Sequence, residues 1–355
     1  MKLRSVFALI ALFLGCFSSQ AEIVSGAVWL DSQGSVIQAH GGGILKHGDT
    51  WFWYGEDRKN GARAAGIACY SSQDLEHWKN EGVVCPTWAV DGRSVVPNTP
   101  EGYQTGIDYP VLERPKVLYC ERTRKFVMWI HMEGKGYKLS SAAVATSKSP
   151  TGPFRFVDCF RPIPAKIHRE LSKRDDASQM ERGSTFRDMT LFKDDDGVGY
   201  VIYAAESNYT MHISRLTNDF QNVLQPVLGK TWNRILVDDH REAPAMFKHS
   251  GKYYLITSAC KGWTPTEARL SVSDKILGPY RSLGNPCRGP KSNITFDSQS
   301  TFVLPIDPKK GRFIFMADRW QPKNIGESTY VWQLLQINDS RKPEINWMDR
   351  WSPEK

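Results

Sequence analysis

Three things are missing from this 355-residue chain, and each removes a class of function. No two cysteines stand at C-x-x-C spacing, so neither a zinc ribbon nor a thioredoxin-like redox centre is supported. No apolar stretch reaches the roughly 20 residues that a membrane-spanning helix needs, so no membrane span is expected. The basic residues are scattered without a tract, so nucleic acid is not an expected partner. Beyond the first positions there is also no long run with a 3.6-residue apolar period. A helical architecture is therefore not indicated.

The start of the chain is different. Lys2 and Arg4 precede a nine-residue apolar run, VFALIALFL (6–14), and a small, polar stretch that ends at Ala21. This pattern predicts a signal peptide over residues 1–21, cleaved after about Ala21, and a secreted or periplasmic protein. The remaining 334 residues, 22–355, are expected to form one domain and to act as a monomer. Without Lys2 and Arg4 the formal charge falls from +8 to +6. Of seven cysteines, Cys16 leaves with the signal. Cys69, Cys85, Cys120, Cys159, Cys260 and Cys287 remain as candidate disulfides or buried thiols.

What the chain does contain is a repeat. Short β-rich runs follow polar turns at KHGDT, ERTRK, KDDDG, KHSGK and DPKKG. Strand, polar turn and strand make a hairpin. Each turn is entered by a related strand: GGGILK, ERPKVLY, RDMTLFK, REAPAMFK and SQSTFVLP. SSQDLEHWK, SKSPTGPFRFV and SDKILGPYRSL close three units alike, and LTNDFQNV is a looser copy. Five units over 334 residues give about 67 residues each, the size of a four-stranded propeller blade. The expected fold is all-β, a five-bladed β-propeller. Asp194-Asp195-Asp196-Gly197 lacks the alternating ligands and closing Glu of an EF-hand, and reads as the turn of the third unit.

In a propeller the innermost strands start at a central channel, so their first polar residues converge. Here these are His40, Glu113, Asp188, Glu242 and Gln299, spaced by 73, 75, 54 and 57 residues. Such convergence of residues distant in sequence marks a candidate site. Arg114, Arg187 and Arg241 adjoin three of these positions. Strand alternation predicts that they point away, as struts between blades. Trp263, Trp320, Tyr54 and Tyr109 lie in or near loops at the channel mouth. Of these, Trp263 and Trp320 are the expected sugar-stacking rings.

These strings carry a resemblance. Gln38-Ala39-His40-Gly41-Gly42-Gly43 with Trp53-Tyr54-Gly55-Glu56, then Glu113-Arg114-Pro115-Lys116, Arg187-Asp188-Met189, Glu242-Ala243-Pro244 and Ser298-Gln299-Ser300 resemble, in order, the galactan β-1,3-galactosidase branch of glycoside hydrolase family 43. The likeness runs from about Ile37 to Trp351. It implies an exo-acting, inverting hydrolase that releases galactose from β-1,3-galactan. Glu242 would be the general acid and Asp188 the orienting carboxylate that modulates its pKa. Gln299 would position the attacking water, through an imidic-acid form, with Glu113 as the alternative base. Glu113 would also hold the terminal galactose, with His40, Glu56, Trp263 and Trp320 as further substrate-binding residues. The first blade has glycine where other family members carry the basic Asp, a departure this branch shares.

No organic cofactor is implied. A structural cation in the central channel is allowed for, with His40 near it. One segment departs from the branch: Thr-Gly-Trp-x-Pro-Asn is here Lys261-Gly262-Trp263-Thr264-Pro265-Thr266. Lys261 is expected to alter the sugar pocket and to favour an acidic or substituted glycan. Two other functions compete, an α-L-arabinofuranosidase or β-xylosidase on the same scaffold, and an inactive glycan-binding propeller. Sialidase boxes of the Ser-x-Asp-x-Gly-x-Thr-Trp type do not occur.

Overall fold

The computed structural model describes residues 22–61, 65–86, 111–172, 174–175, 177–337 and 342–353. The expected signal peptide and Tyr109 lie outside them. After a two-residue strand, β1 (Ile23–Val24), the chain forms five antiparallel sheets in succession. Blade one is β2 (His40–His47), β3 (Thr50–Glu56), β4 (Gly66–Ser72) and β5 (Lys79–Pro86). Blade two is β6 (Val111–Cys120), β7 (Lys125–Glu133), β8 (Ser141–Ser147) and β9 (Arg155–Phe160). A short helix, α1 (Ala165–Leu171), precedes blade three: β10 (Met189–Lys193), β11 (Gly199–Ala205), β12 (Thr210–Arg215) and β13 (Trp232–Ile235). Blade four is β14 (Arg241–His249), β15 (Lys252–Ala259), β16 (Arg269–Ser273) and β17 (Arg281–Gly284). Blade five holds β19 (Gln299–Asp307), β20 (Arg312–Arg319), β21 (Thr329–Ile337) and β22 (Pro343–Asn346), with β18 (Cys287–Arg288) added parallel to β22.

The fold is the five-bladed β-propeller that the repeat predicts. Each polar turn is a hairpin between a blade's first two strands. Asp194 closes the third one: its N–H donates to the Val198 carbonyl at 2.9 Å, and its carboxylate takes Lys248 and Tyr253 at 2.5 and 2.6 Å. Those ammonium and hydroxyl donors fit a turn, not a calcium loop.

No single core holds the ring. Apolar side chains form five clusters, one between each pair of adjacent blades. Between blades one and two Tyr54, Ile67, Met128 and Phe154 meet; between five and one, Trp53, Trp78, Tyr330 and Trp332. Each fully buried large side chain contributes about 1.5–3 kcal/mol, so packing alone can close the ring. The six cysteines agree with this. All are free thiols, and burial pushes the Cys85 thiol up to about 12, which leaves it unreactive. The ends meet where β1 pairs antiparallel with β23 (Arg350–Trp351), and the Trp351 indole donates to the Trp332 carbonyl at 2.9 Å.

The site is set by a defect that four of the five innermost strands share, β10 being regular. The ladder slips between His40 and Gly43, Glu113 and Lys116, Glu242 and Ala245, and Ser300 and Phe302. In blades one, two and four, the residue after the first polar side chain has positive φ: Gly41 at 59°, Arg114 at 56° and Ala243 at 53°. Bulges of this kind re-aim side chains, and two of the three residues are not glycine, a strained state that clusters at functional sites. At Gly41 no side chain fits, because a Cβ would sit 2.2 Å from Glu56 Oε1.

Candidate active site

A cavity of about 710 Å³ opens at the end of the channel where the innermost strands begin. Glu113, Asp188, Glu242 and Gln299 all line it, from four different blades. Glu242 Oε1 accepts the Gln299 amide at 2.9 Å, and its Oε2 accepts the Asn208 amide at 3.2 Å. Burial raises the Glu242 carboxyl to about 7, and the negative charge of Asp188 adds to the rise. Arg114 and the bonds from Cys260 and Gln299 only partly offset this. Glu242 thus keeps its proton near neutral pH, as a general acid must.

Asp188 is held differently. Its Oδ2 pairs with Arg114 Nη2 at 3.0 Å and accepts the Ala243 N–H at 3.1 Å. Gln299 is fully engaged: its amide oxygen accepts from Arg114 at 2.6 Å and the Trp320 indole at 3.2 Å, while its nitrogen donates to Glu242 and Ser258. Glu113 faces Arg58 at 3.2 Å, His131 at 3.2 Å and the Tyr137 hydroxyl. Burial alone would raise the Glu113 carboxyl, but these three donors hold it well below the usual range. His131, between Glu113 and Glu133, is fully buried. Its two carboxylate partners outweigh that burial and lift it to about 9, so it carries a charge.

The floor of the cavity is also ionic. Glu56 Oε1 accepts the Arg114 N–H at 2.8 Å and Oε2 takes Arg58 at 2.6 and 2.7 Å. Burial raises the Glu56 carboxyl despite these cations. Below it the buried Lys116 amine donates to the Gly41 carbonyl at 2.8 Å, and burial with the nearby Arg114 charge lowers it to about 7. Among the described residues no three His, Cys, Asp or Glu side chains converge on one point, and Arg114 and Lys116 already lie in the field of Asp318.

Of the predicted substrate-binding residues, Glu56, Trp263 and Trp320 line the cavity. Trp263 is 45% exposed and packs edge-on against Trp320 with ring centroids 5.2 Å apart. His40 does not line it. It is fully buried, stacked on Tyr330 at 5.0 Å and covered by Trp320 at 5.8 Å, and neither ring nitrogen has a hydrogen-bond partner among the described residues. Tyr54 is likewise buried in the seam between blades, its hydroxyl on the Pro150 carbonyl at 2.6 Å. Lys261 is outside the main cavity too, in a second cleft behind its loop. Arg241 points away from the cavity, as alternation predicts, but its bonds to Thr257 stay within blade four; Arg114 and Arg187 line the cavity, and Arg114 bridges blades through the Ser300 carbonyl. The bulge at Arg114 breaks the alternation, and Arg187 precedes β10, where no alternation applies.

Sequence reasoning named Glu56 but missed the rest of a second ring of residues, and the register shows where it was. Glu113 lies opposite His131, His40 opposite Glu56, Glu242 opposite Ser258 and Gln299 opposite Asp318. Counting back across each hairpin from its turn finds these partners within one residue in blades one, two and four and within two in blade five, whose ladder slips twice. Arg58, Tyr137, Asn208 and Cys260 are in loops and carry no such signal.

A raised Glu242 carboxyl beside Asp188 and Glu113 at a propeller's channel mouth, with Trp263 and Trp320 at the rim, is an arrangement suited to a glycoside hydrolase. The chain belongs to glycosyl hydrolases family 43, whose family model matches residues 43–303. Among solved structures it is similar to a family 43 β-1,3-galactosidase with galactodeoxynojirimycin, at 40% identity and a TM-score of 0.80, over 93% of this chain and 100% of that one. An exo-β-1,3-galactanase from Phanerochaete chrysosporium with β-1,3-galactotriose is 31% identical, with a TM-score of 0.77, over 93% of this chain and 68% of the other. The exo-β-1,3-galactanase from Clostridium thermocellum is 34% identical, with a TM-score of 0.78, over 93% and 66%. No curated protein sequence matches the chain.

Proposed function

We propose that this protein is an exo-acting, inverting β-1,3-galactosidase that removes galactose from the non-reducing end of β-1,3-galactan. The observation that carries the reading is the Glu242 carboxyl, raised by burial and by Asp188 at the mouth of an open pocket. A closed floor suits a chain end better than a chain interior, and Glu56, Arg114 and Lys116 fill that floor. Glu242 then protonates the leaving oxygen while water attacks the anomeric carbon from the opposite face. Inversion needs roughly 6.5–9.5 Å between acid and base, so the direct contact of Glu242 with Gln299 gives way when the sugar enters. The carboxylate of Glu113, tied by Arg58, His131 and Tyr137, is a weak base and a good acceptor for sugar hydroxyls. This favours Gln299, aimed by Arg114 and Trp320, as the group that positions water.

The test is galactose release from β-1,3-galactan by the wild-type protein and by Glu242→Gln. Release by the wild type with a loss of about 10²-fold or more in the variant, the scale of a general acid, supports both reaction and acid. No release with intact binding of the glycan would favour a glycan-binding propeller, a reading that the glycine in place of a first-blade base keeps open. Export belongs to the same proposal. A mature N-terminus at Glu22, read by sequencing protein from the medium or periplasm, is the expected result.

A further inference from the structure

Behind the loop that carries Trp263, on the side away from Glu242, is a second cleft of about 460 Å³. Thr264, Pro265 and Thr266 form a wall of this cleft and also of a small groove, lined by Gln299 and Trp320, that leads from the catalytic pocket. The wall is fixed: the Thr266 hydroxyl accepts the Ala259 N–H at 3.0 Å, and the Thr266 carbonyl accepts the Thr295 hydroxyl at 2.7 Å. The two spaces are therefore neighbours across one rigid loop.

The cleft is basic. Arg241 lies opposite Ala259, and Arg269 opposite Thr257, so both arginines share one face of blade four. They are close enough that burial and the Arg269 charge together lower Arg241 to about 10. Two cations side by side are unfavourable unless something negative comes between or above them, and Asp239, which pairs with Arg269 and favours the charged form of Arg241, offsets this only in part. Arg241 spends its bonds on Thr257 and the Glu267 carbonyl, none of them charged. Arg269 pairs with Asp239 through Nη2, while its Nε is buried with no partner. Lys261 stands exposed over the cleft and makes no ion pair with any described residue. Glu267 is the one acidic residue in the lining, and its carboxylate is taken by Asn285 at 3.1 Å.

We propose that this cleft is a subsite for the carboxylate of a uronic acid carried as a branch on the glycan beyond the bond cleaved. Arg269 and Lys261 would meet the carboxylate, with Arg241 supplying field from beneath. The inference rests on the galactan reading of the catalytic pocket, and the two are tested separately.

Binding is measured calorimetrically with the Glu242→Gln variant, so that no turnover is needed. The probes are β-1,3-galactotriose bearing β-1,6-linked glucuronic acid on an internal galactose and the same oligosaccharide bearing glucose there. The acidic probe is expected to bind about fourfold tighter at low salt, the scale of a solvent-facing ion pair. Lys261→Glu, an exposed change, is expected to erase or reverse that preference, and high salt to reduce it. Equal affinity for the two probes, or a preference that Lys261→Glu leaves untouched, overturns the proposal. Cleavage of unbranched galactotriose by the wild type reports on the galactosidase reading alone.

Discussion

The central channel has two halves, built by the same innermost strands, and they have opposite chemistry. At the upper mouth the strands begin in Glu113, Asp188, Glu242 and Gln299, with bulges, positive φ angles and a network of buried ions. Further along, four of them supply Leu45, Val117, Leu191, and Phe302 with Leu304, around a cavity of about 350 Å³ with largely apolar walls. Lys116 separates the two. The lower half holds the strands in place by packing, and the upper half uses that rigidity to keep like charges and strained residues close. A site of this kind is costly in stability, and it persists because the other half of each strand is ordinary.

This comparison can be broken at several points. The largest effect belongs to Glu242→Gln, described above, which should abolish turnover while leaving the melting temperature nearly unchanged. Next is Arg114→Leu. It strips a cation from Asp188, Gln299 and the Ser300 carbonyl at once, and breaking such a buried pair costs about 3–5 kcal/mol. Urea unfolding should show the loss, and activity should vanish with it. Leu304→Ala, in the lower half, should cost about 2–5 kcal/mol by the same assay. Its kcat/KM per folded molecule should match the wild type; a fall in kcat/KM would mean that the two halves are coupled.

Two pH effects are smaller and sharpen the upper half. With Glu242 raised to about 7, kcat/KM should decline about tenfold per pH unit above that value. His131 is raised from 6.5 to about 9 in the folded protein. Its share of stability should be complete below 6.5 and lost as pH climbs through 9, and His131→Gln should flatten that stretch of a stability–pH curve.

The propeller was legible because hairpins repeat locally: a turn, the strands beside it and their spacing are all near in sequence. Four of the five channel positions, Glu113, Asp188, Glu242 and Gln299, were legible for the same reason. His40 was misjudged because what buries it, Tyr330 and Trp320, arrives from blade five, nearly 300 residues on. Arg114 does tie blades together, as expected, but its place at the cavity was missed because alternation assumes a regular strand, and the φ of 56° there breaks the rule. Lys261 reads as a pocket residue from its motif, yet the turn at Gly262 sends it to the outer side of the loop. Sequence adjacency predicts which loop a side chain is on, but not which side of the loop it faces.

The clasp between β1 and β23 makes the ring a test of completeness. Residues 23–24 can pair only after residues 350–351 exist, so the first strand made waits for nearly the last. Until β21 docks, Trp53 and Trp78 on blade one lack Trp332 and Tyr330, and the open arc shows a tryptophan-rich face to its surroundings. A chain interrupted late in synthesis would be sticky and easily recognised as unfinished, and a finished one hides that face in a single closing event.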